Sequence, residues 1–215
     1  MNLQLDGALI TELDAPTRKS LTTATTDAVG RVFHESLLRS LIKKNEIEGT
    51  TFAVTDKRVM TASLNFEDHE DRRTAAREAG RVFSVNAVEL EETLLFIGAT
   101  SVGINRDDDS EVAITFIQDL RPMHSVTEES EFVPAFKSSE IKLFLDELST
   151  SGRITTVNDG DLCIPYEEYQ ALSEDEREGF TTAQNSLLFE TFIGSTYAFK
   201  YYRDKAEAVN AAAAS

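Results

Sequence analysis

Two apolar stretches joined by a polar tip are the strongest structural signal in the sequence. They cover residues 93–104 and 111–120, and both are rich in β-branched and aromatic residues. The residues between them, 105–110, have the composition of a turn. This pattern predicts a long β-hairpin whose arms lie at the centre of a sheet.

The residues before this hairpin predict a repeated order of elements. Apolar side chains recur every three or four positions over about residues 25–48, which indicates an amphipathic helix. A shorter hairpin is predicted at 51–64, and a second helix from residue 68 to between 83 and 89. With an edge strand in the first twenty residues, the order predicts an α+β fold. We expect an antiparallel sheet of about four strands with helices on one face.

The C-terminal part of the chain has a different pattern. Residues 121–136 contain two prolines and an acidic cluster without periodicity, so we predict a linker there between domains at 1–120 and 137–215. The second domain is expected to be a mostly helical subdomain with a small β-hairpin. Its predicted elements are a helix at 139–148, a hairpin from 153–157 and 161–164 around an Asp-Gly turn, and a last helix at about 182–209.

Net charge limits the classes of partner. The chain has 38 acidic and 21 basic residues, a net charge of −17. This field repels phosphate backbones and anionic lipids, so nucleic-acid and membrane partners are not expected. A helix followed by a hairpin resembles part of a winged-helix unit, but its acidic residues disfavour DNA binding. The charge indicates either a surface adapted to solubility or salt, or one that meets a basic protein.

The sequence lacks the signals of secretion and of disulfide bonding. The N-terminus has no basic start and apolar run, so a signal peptide is not expected. The lone Cys163 cannot form an internal disulfide bond. We therefore expect a location in the cytoplasm or within an assembled particle.

A search for catalytic and ligand-binding motifs predicts no catalytic residue, metal site, cofactor or small-molecule substrate. The three histidines, His34, His69 and His124, are too far apart in sequence for a zinc motif. The glycine spacing of residues 98–103 lacks the lysine that a phosphate loop needs. The tip residues Asp107, Asp108 and Asp109 lack the spacing of a calcium loop, and their role is left open. On these grounds we do not expect an enzyme.

The last predicted helix is unusually aromatic. Such a helix is either buried between the sheet and the rest of the chain or used as an interface with another protein. The predicted interface residues are Phe189, Phe192, Tyr197, Phe199, Tyr201 and Tyr202.

Three functions are compatible with the sequence. The leading hypothesis is a non-catalytic structural or assembly subunit of a larger complex, such as a virus particle or another multi-subunit machine. It would act through protein–protein contacts in a homo- or hetero-oligomer. One alternative is an acidic regulatory or inhibitory protein that binds a basic partner. The other is a metal-assisted hydrolase.

Overall fold

The structure is a computed structural model. It describes residues 9–21, 23–42, 49–64, 69–104, 110–139, 141–148, 154–159, 163–164, 171–173, 181–182 and 187–214.

The described residues include nine strands and five α-helices, labelled here in chain order. The strands are β1 (Leu9–Glu12), β2 (Gly49–Thr55), β3 (Arg58–Ser63), β4 (Leu94–Ile104), β5 (Glu111–Asp119), β6 (Ile141–Leu148), β7 (Ile154–Asp159), β8 (Cys163–Ile164) and β9 (Thr181–Thr182). The helices are α1 (Ala15–Leu21), α2 (Thr26–Ile42), α3 (His69–Glu89), α4 (Phe132–Ser138) and α5 (Leu187–Ala214).

Seven of the strands form one antiparallel sheet in the order β1-β3-β2-β4-β5-β6-β7. The α+β class is confirmed, although the sheet has seven strands and not about four. The predicted hairpin of residues 93–120 is also confirmed, as β4 and β5, which pair from Phe96–Asp119 to Ile104–Glu111 at the centre of the sheet. Its tip, residues 105–109, lies outside the described residues.

Helices cover both faces of the sheet, in contrast to the single face that we predicted. Phe52 and Val54 of β2 pack in one cluster with Val29 of α2. Ala53, between them, packs on the opposite face with Phe83 of α3. The α5 helix also lies on that second face. The physical reason is the composition of the central strands: apolar residues at consecutive positions need cover on both sides.

Residues 121–138, which include the predicted linker at 121–136, pack against the core. They fold into 3-10 helices at Arg121–Ser125 and Glu129–Glu131, followed by α4. Phe132 and Phe136 are buried in the cluster that contains Phe83. Beyond α4, the chain adds β6 to the edge of β5. The sheet therefore continues across the predicted boundary between domains.

Two predictions for the C-terminal region are wrong. Residues 141–148 form strand β6 and not a helix. This strand is covered on both faces, with Leu143 in the cluster beside α5 and Phe144 in the cluster beside α2, so its sequence lacks the alternation that identifies a half-buried strand. The predicted hairpin of 153–157 with 161–164 is replaced by two other pairings: β7 pairs with β6, and β8 pairs in parallel with β9. The resemblance to a winged-helix unit is lost with that helix.

The last helix, α5, is the longest element. Its 28 residues extend for about 42 Å. No helix in the described parts of the chain combines the length and apolar character that crossing a membrane requires.

Candidate functional site

The first half of α5 is part of the core and packs closely against α3. Gly80 and Gly194 lie where the helices cross, and a Cβ atom on Gly194 would overlap the carbonyl oxygen of Arg77. The Ser84 hydroxyl donates to the Ser195 carbonyl at 2.9 Å and accepts from the Ala198 amide at 2.6 Å. Small residues and buried hydroxyl groups therefore fix the position of α5 on the rest of the described structure, which we call the body.

The six residues predicted as an interface fall into two groups. Phe192 and Phe199 are buried in the core, and Phe189 and Tyr202 are partly buried against it. These four side chains pack within their own chain. Tyr197 is 48% exposed, and Tyr201 is partly exposed beside Lys205. Of the predicted set, only Tyr197 is exposed, while Tyr201 is half-buried and lies outside the core cluster. The interface call stays a prediction.

In the second half of α5, the spacing of the core-facing residues continues although this part of the helix is exposed to solvent. In the first half, residues spaced alternately by four and three positions face the body. The same spacing continues with three further residues, and every residue from 204 to 213 is exposed. We call residues 203–213 the distal segment. The full stripe comprises Leu188, Phe192, Ser195, Phe199, Tyr202, Ala206, Val209 and Ala213.

A groove of about 330 Å³ lies where the distal segment leaves the body. Tyr202 forms part of its wall, and its hydroxyl donates to the Glu92 carbonyl oxygen. Burial, and then the nearby carboxylates of Asp56 and Glu92, raise the pKa of Tyr202 to about 12, so the phenol stays a donor. His124 Nε2 lies 2.8 Å from the Leu94 carbonyl oxygen, to which it donates. The apolar lining consists of Met123, Val126, Phe199, Tyr202 and Ala206.

A second groove, of about 420 Å³, lies between α3 and α5. Tyr197 and three cationic side chains line it, and each cation is paired with a carboxylate. Arg77 contacts the buried Glu190 at 2.6 Å, Lys200 contacts Glu129 at 3.3 Å, and Arg81 pairs with Glu78. These cations are therefore compensated within the chain, and the groove offers an anion little net attraction.

A buried polar network connects α2 to the sheet. His34 Nε2 lies 3.1 Å from Asp146 Oδ2, and His34 Nδ1 lies 2.9 Å from Thr115 Oγ1. A carboxylate only accepts hydrogen bonds, so Nε2 carries the proton and Nδ1 accepts from the threonine hydroxyl. The other carboxylate oxygen, Asp146 Oδ1, is buried and has no hydrogen-bond partner among the described residues.

The network has the connectivity of a hydroxyl–imidazole–carboxylate relay, but its location prevents catalysis. Thr115 has no exposed surface, so its hydroxyl cannot reach a substrate in this conformation. Burial lowers the pKa of His34, and this effect outweighs the opposing attraction of Asp146. The neutral imidazole therefore acts as a structural connector. Its partners lie 81 and 112 residues away in sequence, and no local motif announces them.

The other sequence candidates add no catalytic centre within the described residues. No group of three or more potential metal ligands occurs in this part of the chain. Asp107, Asp108 and Asp109 lie outside it, as do the side chains of His69 and Cys163. Gly98 faces the ring of Phe52, which a Cβ atom would overlap, so this glycine serves a close approach and not a phosphate loop.

The comparisons with known proteins found no relatives. No family model, no curated protein and no solved structure matches this chain.

Proposed function

We propose that this chain is a non-catalytic assembly subunit that acts through protein–protein contacts, with the distal segment of α5 as the main contact surface. The observation that carries the proposal is the continuation of the core stripe into solvent. Val209, at the middle of the exposed part, is 62% exposed. A stripe that is buried over the first half of one helix and uncovered over the second half is typical of a helix that packs against another protein.

Helix energetics support this proposal. Isolated helices shorter than about 12–15 residues are marginal in water, because nucleation is costly. The distal segment avoids that cost by propagating from the buried half of α5, and its alanines favour the helical state. The segment is therefore preformed, and a partner that binds it loses little free energy in ordering it. Tyr197, on the buried half, adds exposed aromatic surface to the same helix, and Tyr201 is half-buried beside it.

The test is the mass of the native complex. In extracts of the source cells, the wild-type chain should migrate in an assembly larger than the 23.9 kDa of one chain. Val209→Glu should release it as a monomer, because a charge in the contact has to be desolvated. The matched control is Val32→Glu, since Val32 is a 66% exposed valine on another helix. A wild-type chain that migrates alone, or an assembly insensitive to Val209→Glu, would contradict the proposal.

A second candidate function is an acidic protein that binds a basic partner. It is favoured by the pairing of arginines with carboxylates within the chain. Since these arginines are already paired, the excess carboxylates dominate the electrostatic field around the protein. Binding of this kind should weaken steeply as salt rises, and salt-independent binding would exclude it. The arginines that form ion pairs are Arg31, Arg39, Arg58, Arg73, Arg77, Arg81, Arg121 and Arg203.

A further inference from the structure

The inner face of α2 carries few large apolar side chains. Of the described residues of this helix that are buried, only Val29 and Leu37 have apolar side chains. The other buried residues are Thr26, Gly30 and His34. The hydrophobic effect alone therefore holds α2 less firmly than it holds a helix with a full apolar stripe.

The core beneath α2 is separate from the main core. Val29 packs in the smaller cluster, and Phe33 adds a partly buried ring that stacks on Phe52 with ring centroids 3.7 Å apart. The helices α3, α4 and α5 pack in the larger cluster on the opposite face of the sheet, and no buried residue belongs to both clusters. Proteins open locally in cooperative units of this kind, so α2 can lift while the other face stays packed.

His34 is the polar link between α2 and two strands of the sheet. The side chain is 6% exposed, and its two ring nitrogens contact Thr115 on β5 and Asp146 on β6. A proton added to Nδ1 would face the threonine hydroxyl that now donates to it, so the hydroxyl would have to turn, and a charge would lie in a buried site. When α2 opens, the imidazole returns to water and binds a proton with its usual pKa of about 6.5.

The charged groups around His34 leave this preference for the neutral form in place. Burial has the largest effect on the pKa of His34 and lowers it, Asp146 opposes this effect, and Arg31 adds to it. On α2, the exposed charges are paired as Arg31 with Asp27 and Arg39 with Glu35. The other charged residues on this side of β5 and β6 are Glu111, Asp119 and Lys142. Strand β4, which also contacts α2, has no charged residue.

We infer that His34 makes α2 an acid-sensitive cover, which opens more often as the pH falls from about 7.5 to about 5.5 while α3 and α5 stay packed on the opposite face. Each opening uncovers the apolar sheet surface formed by Phe52, Ile117 and Phe144. Since protonation of the exposed imidazole holds the helix open, the equilibrium constant for opening rises by up to about tenfold over this range. The inference concerns the face of the sheet opposite α5 and is independent of the proposed function.

The experiment is native-state hydrogen exchange of the full chain at about pH 7.5 and about pH 5.5, in a series of low urea concentrations. Each rate is divided by the intrinsic exchange rate at that pH, which gives the opening constant. At the higher pH, the amides of α2 around Leu37 should be less protected than those of α3 around Ser84. Their opening should also depend less on urea, because it exposes less surface than global unfolding does.

Two variants assign the response to the imidazole. In the wild type, the opening constant of α2 should rise by up to about tenfold in acid. His34→Gln keeps one hydrogen bond to the sheet but cannot titrate, so its α2 should open equally often at both pH values. The matched control, Ser84→Ala, removes buried hydrogen bonds on the other face and should keep the acid response of α2.

Two results would overturn the inference. One is an α2 whose amides are as protected as those of α3 and have the same urea dependence, since α2 would then open only with the whole fold. The other is an opening constant that is equal at the two pH values, or that rises as much in His34→Gln as in the wild type. If His34→Gln does not fold, the urea dependence and the acid response of the wild type still decide.

Discussion

Lowering the pH from about 7.5 to about 5.5 should destabilise the fold through His34. This side chain is 6% exposed, and burial lowers the pKa of the folded imidazole below the usual 6.5. In the unfolded chain, histidine binds a proton near pH 6.5. Below that pH the unfolded state binds more protons than the folded state, so the free energy of unfolding falls as the pH falls. The same group contributes no pH dependence well above 6.5, where both states are neutral.

The magnitude follows from the linkage relation. Between about pH 7.5 and 5.5, one histidine that stays neutral in the fold can lower the free energy of unfolding by at most about 1.4 kcal/mol. Other groups titrate in this range, so the measurement compares wild type with His34→Gln by urea unfolding at each pH. The glutamine can still donate to Asp146 but cannot titrate.

At about pH 7.5, His34→Gln should cost about 1–3 kcal/mol, because the Thr115 hydroxyl or the carboxylate loses a well-placed partner. At about pH 5.5 this difference should shrink by up to about 1.4 kcal/mol. Ser84→Ala is the control: it removes buried hydrogen bonds between α3 and α5, away from titrating groups, and its cost should not change with pH. If the His34→Gln difference grows in acid, the Asp146 attraction outweighs burial and the reasoning is refuted.

Three further predictions concern the helices around α5. Glu91 lies two residues beyond the end of α3 and has a positive φ of 53°, so Glu91→Gly should raise the free energy of unfolding by up to about 1 kcal/mol; any loss of stability would contradict this. Gly194→Ala should lower it by about 1–3 kcal/mol through overlap with the α3 backbone, and an unchanged melting curve would contradict the packing. Phe192→Ala should cost about 3–5 kcal/mol, whereas Tyr197→Ala on the same helix should stay within about 0.5 kcal/mol. Equal costs in denaturant unfolding would contradict their different burial.

The elements that could be predicted from sequence are those whose pattern is local. The β4–β5 hairpin has two β-rich arms and a polar tip, and α2 and α3 show clear helical spacing. The prediction failed at β6, where both faces are buried. Leu143 and Phe144 are adjacent in sequence but pack in opposite clusters, so the strand appears as an apolar run that a short helix would also produce.

The candidate sites depend on contacts between residues that are far apart in sequence, and no local pattern reveals such contacts. The aromatic character of α5 identified the helix, but it could not separate the side chains that pack inward from those that face solvent. Phe192 is buried only because α3, α4 and the sheet meet there. Likewise, the pairing of His34 with Asp146 arises from the packing of α2 on β6. The continuation of the stripe to Val209 was present in the sequence, but it became informative only once the structure showed where the body ends.

The central claim is that the distal segment of α5 is the contact surface, and hydrogen exchange measures this directly. In the dilute, isolated chain, the amides of residues 204–213 should exchange faster than those of the buried half of α5, because this part of the helix is exposed. In the assembled state, these amides should become strongly protected, while those of the exposed face of α2 around Val32 should not change. Protection at another surface, with residues 204–213 exchanging as fast as before, would contradict the claim.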